Sequence, residues 1–332
     1  MRALVWHGPR LLTLEQVPEP EPAPGEVLLR VEAVGICGSE LSGYLGESSL
    51  RRPPLVMGHE FAARVVGGDG PAPGTRVVVN PLLSCGVCGP CRSGAENLCA
   101  ERRIVGAARP GAFAELVAVP AGACHPAPEG LSPELAAMAE PLACAVRAVE
   151  RGRPGLADAV LIVGAGAIGL LTLAVARRAG AGILAVADVN AERLATARAW
   201  GATHTLDGRA DLPAELRRLT GGPADVAFDA VGLASTRRAA VQAVRPGGRA
   251  VFIGLHEAES VLPVNELVRG EIEAVGCFCY RARSFERALA LLRGGLLAPG
   301  PWLEPRPLEA GPASFEDLLG GAVAASKLVL RP

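Results

Sequence analysis

The sequence predicts an α/β chain of two domains, one β-rich and barrel-like, the other built on a doubly wound parallel sheet. Three observations carry this. Up to Leu131, short apolar runs alternate with Gly- and Pro-marked turns; beyond it, continuous apolar strands alternate with helical segments. Gly164-Ala165-Gly166-Ala167-Ile168-Gly169 then stands between one such strand and one such helix. A chain of 332 residues has room for two domains.

In order, Ala3-Leu4-Val5-Trp6, Leu11 to Leu14 and Val27 to Val31 read as short strands, with Pro18 to Gly25 as a connector. Glu60 to Val66 and Arg76 to Val79 follow as strands, and Gly111 to Val119 resumes the pattern after a cysteine-rich lobe. Ser132-Pro133-Glu134 is a helix start, with serine as cap and proline in the first turn. Val160 to Val163, Ile183 to Ala187, Val226 to Asp229 and Arg249 to Ile253 read as buried parallel strands. Helices are expected over Ala167 to Arg178, Ala191 to Trp200 and Ser284 to Arg293, and a last strand at Lys327 to Leu330. The division is 1–147, 148–280, and a return of 281–332 to the first domain.

Half of the residues are hydrophobic and the net charge is −1, which argues against a nucleic-acid footprint. Arginine carries nearly all the positive charge; Lys327 is the only lysine, a skew that reads as compositional bias. The Ala159 to Val175 stretch is broken by three glycines and is no membrane span, and no secretory signal is visible. Nine cysteines in a chain expected in the cytoplasm point to metal or redox chemistry before disulfides.

The glycine loop has a physical logic. The first glycine permits the tight turn, the second lets backbone approach a pyrophosphate, and the third lets helix pack on strand. The helix start at Ala167 and Ile168 offers free N–H groups to an anion. Asp188 ends the next strand, where an acid grips a ribose 2′-hydroxyl and repels a 2′-phosphate; NAD is expected over NADP. Cys85, Cys88, Cys91 and Cys99 can close a tetrahedral zinc shell with no open position. An iron–sulfur cluster competes, but a ferredoxin run has a shorter last gap followed by proline, whereas Ala100 follows Cys99 here. Cys37, His59, Glu60 and Glu140 are candidates for a second zinc that keeps a position open.

Over essentially its whole length the chain resembles the zinc-dependent medium-chain dehydrogenase/reductase superfamily, most of all its polyol (sorbitol-type) and threonine dehydrogenases. The resemblance lies in Gly35-Ile36-Cys37-Gly38-Ser39-Glu40, Gly58-His59-Glu60, the four-cysteine lobe, Ala139-Glu140-Pro141-Leu142, Asp225 to Gly232, Pro246-Gly247-Gly248 and Gly276-Cys277-Phe278. It implies a GroES-like catalytic domain plus a Rossmann domain, with the active site in the cleft. By the same resemblance Cys37 and His59 are zinc ligands, Glu60 and Glu140 exchange as the third, and Ser39 bonds the substrate hydroxyl. Asp188 holds the adenosine ribose and Arg193 lies toward the adenine.

One departure concerns the proton path: many relatives have histidine where this chain has Ser42. The implied activity is NAD-dependent oxidation of a secondary alcohol such as a polyol, sugar alcohol or amino-alcohol, by a homodimer or homotetramer. The alternatives are a simple-alcohol dehydrogenase, a zinc-free quinone reductase, and a non-catalytic nucleotide-binding redox sensor. Tyr44, Phe113 and Phe278 could line the substrate site or belong to the core. His7, His125, His204 and His256 have no partner pattern and read as structural, and Cys124, Cys277 and Cys279 as core or strand residues.

Overall fold

The computed structural model describes residues 1–332. Two compact units form: Met1–Glu140 with Arg281–Pro332, and Pro141–Tyr280. No helix is long and apolar enough to cross a membrane.

The first unit is built on a seven-stranded sheet. Across it run Cys124–Pro126, Arg76–Val79, Glu60–Gly68, Glu26–Gly35, Lys327–Arg331 and Leu303–Pro307, and Leu116–Pro120 also pairs with Glu26–Gly35. Period-two alternation puts Val27, Leu29, Val31 and Ala33 of one strand on the inner face, all buried. Val27, Leu29 and Val31 meet Leu4, Phe61, Phe113, Phe315 and Leu328 in one core, each large side chain contributing about 1.5–3 kcal/mol by leaving water.

Two registers in this sheet matter for function. Gly35 lies opposite Glu60 in the antiparallel pair, and Val329 of the C-terminal strand lies opposite Gly35 on its other side. One strand therefore ends just before Cys37 where its neighbour starts just after His59. The residues on either side of the strand ends are brought together by register alone.

The loop before Glu60 is fixed from a direction the sequence did not indicate. Gly111 to Val119 was expected as one strand, but the strand is only Leu116–Pro120. The preceding backbone instead bonds to the His59 loop: Phe113 N–H donates to Met57 C=O at 2.9 Å and Ala112 N–H to Gly58 C=O at 2.9 Å. Gly58 has φ +99°, and a Cβ there would meet the Phe113 nitrogen at 2.7 Å, so the position takes glycine.

The second unit holds six parallel strands. Across the sheet they are His204–Asp207, Ile183–Asp188, Ala159–Val163, Ala224–Asp229, Val244–Phe252 and Glu273–Gly276. In chain order this is 3-2-1-4-5-6, which reverses beside Ala159–Val163 and leaves a crevice at the strand ends. Val160, Leu161 and Ile162 are fully buried, as strands covered by helices on both faces must be. The last strand ends at Gly276, so Cys277 and Phe278 lie beyond it.

Candidate active site and metal centres

Cys37 caps the helix Gly38–Tyr44, immediately past the end of Glu26–Gly35. Three residues on, Glu40 turns inward and is fully buried. Its carboxylate accepts from Cys37 N–H at 2.9 Å, Gly58 N–H at 2.8 Å and His59 Nδ1 at 2.9 Å. Burial works against this charge, but His59 and Arg51 outweigh it and hold Glu40 below the usual carboxylate range. An ionised carboxylate only accepts, so Nδ1 carries the proton and Nε2 is the atom left to bind a metal. Burial likewise opposes charge on His59, yet Glu40 and Cys37 push its pKa well above the ordinary imidazole value.

Ligand atoms of Cys37, His59 and Glu60 all lie within 4.8 Å of one another. A thiolate, an imidazole and a carboxylate at that spacing fit zinc, whose ligands in a tetrahedral shell sit ~3.3–3.8 Å apart. Glu60 is 1% exposed and forms an ion pair through Oε2 with the ammonium of Lys327, itself 4% exposed. Burial lowers the Lys327 pKa, but the charges of Glu60 and Cys37 raise it more, and it stays cationic. Glu140 lies in the first turn of the helix Ala139–Gly152 and is buried. Ser39 is exposed on the first turn after Cys37.

The four-cysteine lobe is folded on two tight turns, the short helix Gly89–Arg92 and the 3-10 turn Glu96–Leu98. Its four sulfurs lie within 4.8 Å of one another. Cys88 and Cys91 are 3.3 Å apart, Cys85 and Cys99 3.6 Å, Cys85 and Cys91 4.0 Å. Four sulfurs bound at about 2.3 Å around a tetrahedral zinc lie ~3.8 Å apart, so the lobe fits a closed zinc shell. All nine cysteines are free thiols. Main-chain N–H groups of Val87 and Cys88 pull the Cys85 thiol down to about 7, toward the thiolate a metal needs.

In the second unit Gly164 has φ +97°, and Gly166 caps the helix Ala167–Arg178 with nothing within 4 Å of a Cβ placed on it. A Cβ on Gly169 would collide with the Gly164 carbonyl, so helix and strand pack at glycine distance. An open second glycine with close-packed first and third is the cradle a pyrophosphate takes. Asp188 Oδ2 accepts from Ala165 N–H of this loop at 2.6 Å, and Oδ1 from Asn190 N–H at 2.8 Å. Arg193 lies one turn along the helix Ala191–Ala199, capped by Asn190, and its buried Nε has no hydrogen-bond partner.

Comparison with known proteins agrees with this geometry. The sequence model of the alcohol dehydrogenase GroES-like domain matches residues 23–129, and that of zinc-binding dehydrogenase residues 167–294. The chain is 34% identical to L-idonate 5-dehydrogenase of Vitis vinifera, covering 90% of this chain and 85% of that one. It is 33% identical to sorbitol dehydrogenase of Bacillus subtilis, with 90% and 87% covered. The chain belongs to the zinc-type medium-chain dehydrogenases, in the polyol dehydrogenase group. It is an NAD(P)-dependent oxidoreductase. Its fold is also that of a Sinorhizobium meliloti protein described as a zinc-binding dehydrogenase and solved bound to NADP. That likeness has a TM-score of 0.93 and 30% identity over 100% of this chain and 99% of that one.

Several residues of this dehydrogenase take places that sequence reasoning missed. Glu40 stands in the sequence only as the end of the Cys37 motif, yet it buttresses both Cys37 and His59. Its signal is its position, one turn past the ligand cysteine, where a capping carboxylate can reach back. Lys327 had no signal near the site, being 267 residues from Glu60 in the chain. Arg51 is buried and donates to the Ser39 carbonyl at 3.0 Å and its Oγ at 3.4 Å, so it holds the Ser39 turn. Tyr44 and Phe113 are core: both are buried and pack on Phe315, with ring centroids 5.2 and 5.9 Å away. His7 bonds Glu15 at 2.6 Å, His125 stacks on Phe285 and His204 meets Thr203. Burial pushes the Cys124 and Cys277 thiols up to about 12 and 11, as for inert core cysteines.

Proposed function

We propose that this dehydrogenase oxidises a secondary alcohol of a polyol, sugar alcohol or sugar acid at a zinc held by Cys37, His59 and a carboxylate, Glu60 or Glu140, with NAD as acceptor. The observation that carries the reading is the cluster of half-buried Cys37 with buried His59 and Glu60, and Glu40 behind it. When bound, zinc supplies a Lewis acid that favours the alkoxide form of an alcohol, and NAD supplies the hydride acceptor. Ser39 Oγ receives the hydrogen bond of the substrate hydroxyl, and Arg51 fixes that serine from behind. Glu40 keeps the His59 proton on Nδ1 and leaves Nε2 for the metal.

The substrate class is supported by the names of the relatives, which include L-idonate 5-dehydrogenase, sorbitol dehydrogenase and L-galactonate-5-dehydrogenase. Glu140, where simple-alcohol dehydrogenases carry a third cysteine, supports the same class. NAD over NADP is supported by Asp188, whose carboxylate closes on the glycine loop where a 2′-phosphate would meet like charge. Arg193 is assigned to the adenine side, and the Cys85–Cys99 lobe to a structural zinc.

A homodimer or homotetramer is supported by the unpaired edge strand Glu273–Gly276 and by Val261, Val264 and Val268, which are 60–76% exposed in the same unit. A reducing compartment, the cytoplasm, suits a lobe that needs four free thiols.

The deciding experiment is NAD reduction over a panel of polyols, sugar acids, threonine and simple alcohols, with wild type and Cys37→Ser. Turnover of polyols or sugar acids above simple alcohols, abolished in Cys37→Ser, is expected. Undiminished turnover in the variant sinks the zinc reading. A Tm raised by NADP more than by NAD sinks the cofactor preference.

A further inference from the structure

Lys327 is the only lysine among the 33 basic residues of this chain. Lysines are ordinarily solvated at surfaces, and this one is 4% exposed. It opens the C-terminal strand Lys327–Arg331, anchored by its own N–H to the Trp302 carbonyl at 3.0 Å. Its ammonium donates to the Ile36 carbonyl at 2.9 Å, one residue from Cys37, and pairs with Glu60 Oε2. A gap in the sheet makes room for this. Gly35 sits between Glu60 and the C-terminal strand, and a Cβ on it would collide with the Glu60 carboxylate and come within 2.8 Å of Lys327 Cε. A compact ammonium on a linear stem reaches into this space, in a chain whose other side-chain cations are arginines.

The pair has a consequence for the metal, if the Cys37–His59 site holds zinc as proposed above. Cys37, His59 and one carboxylate leave a fourth position; were Glu60 bound permanently while Glu140 took its turn at the metal, the four would close the shell, as four cysteines close the lobe. An ammonium bound to one carboxylate oxygen draws charge away from the metal side and adds a like charge beside the cation. We propose that Lys327 is a positioning residue that shares Glu60 with the zinc, keeping Glu60 an exchangeable ligand and one coordination position open for substrate. The internal cation weakens zinc binding and in return keeps the site substitutable.

The direction of the effect tests this, because a packing role predicts the opposite. The full-length zinc-loaded protein is mixed with the chromogenic chelator 4-(2-pyridylazo)resorcinol, and zinc release is followed in wild type, Lys327→Met, Lys327→Gln, Lys327→Arg and Lys327→Met/Glu60→Gln. The lobe zinc serves as internal reference. Release of the second zinc is expected to slow about tenfold in Lys327→Met, with kcat falling by a similar factor while lobe release is unchanged. Lys327→Gln, one atom shorter than lysine but still polar at its end, stands in if the methionine variant fails to fold and is expected to slow release in the same direction. Lys327→Arg, where the charge persists, should stay within about threefold of wild type, and the double variant should release as fast as wild type or faster. Equal or faster release in both neutral single variants overturns the proposal. If wild type carries only the lobe zinc, the catalytic-zinc reading itself fails; two zinc ions with unaltered release overturn this inference alone.

Discussion

The two candidate metal centres of this dehydrogenase are built on opposite plans. The lobe takes Cys85, Cys88, Cys91 and Cys99 from one short stretch, holds them on turns, and surrounds the site with sulfur only. The other centre takes Cys37 from the end of one strand and His59 and Glu60 from the start of the next. It buries a second carboxylate, Glu40, behind them and a cation, Lys327, beside them. Four thiolates more than offset the charge of zinc and would enclose it, which suits a clip. A mixed set with an internal counter-ion leaves the metal under-satisfied, which a catalytic ion requires. The difference shows that ligand identity separates the centres less than what stands behind the ligands.

That contrast can be broken at several points. The largest effect is expected from Cys37→Ser: turnover falls about a thousandfold or more while the lobe keeps its zinc, seen as a drop from two zinc ions per chain to one by elemental analysis. Next is Glu40→Gln, which keeps the shape but loses the charge that fixes His59 Nδ1–H; zinc affinity or kcat/KM should fall roughly 10–100-fold. Retention of both would reduce Glu40 to a helix cap. Cys88→Ser in the lobe should do the reverse: one zinc is lost and Tm drops by about 5 °C or more, with kcat per folded molecule within about threefold. A thousandfold loss of turnover there would erase the distinction between clip and catalyst.

The smallest effect tests the buried pair against a more exposed pair on the same sheet. Glu32 on Glu26–Gly35 is bridged to Arg76 at 2.5 Å and Arg64 at 2.8 Å. Partial burial raises its pKa, but the two guanidiniums outweigh that and hold it below 4.5. A lowered folded-state pKa means stabilisation present above about pH 4.5 and lost as pH falls through the folded value. Glu32→Gln should therefore lower stability by at most about 1 kcal/mol at pH 7, and by progressively less as pH falls below the folded-state value, in urea melts.

Parts of this molecule are legible from the chain alone because they are local. The lobe is read from three spacings between four cysteines. The glycine loop is read from a strand before it and a helix after it, and the structure shows Gly164, Gly166 and Gly169 in conformations and spaces that match their assigned reasons. The strand expected at Gly111 to Val119 was misjudged in its first half. An apolar run with period-two character cannot reveal that residues 111–113 hydrogen-bond to the His59 loop while only Leu116–Pro120 joins the sheet. Phe113 and Tyr44, open between cleft and core in the sequence, are decided by Phe315, which lies some two hundred residues away or more in the chain.

The sequence by itself pointed to the fold class, the four-cysteine lobe, the dinucleotide loop and the candidate ligands Cys37, His59, Glu60 and Glu140. These depend on neighbours within one turn or one strand, where covalent spacing dictates geometry. Only the tertiary structure decided that Gly35 faces Glu60, that Glu40 serves Cys37 and His59 together, and that the solitary Lys327 is a partner of Glu60. Sheet register and the return of the C-terminal strand place those groups, and a buried charge finds its counter-charge through space, across whatever length of chain the fold has closed.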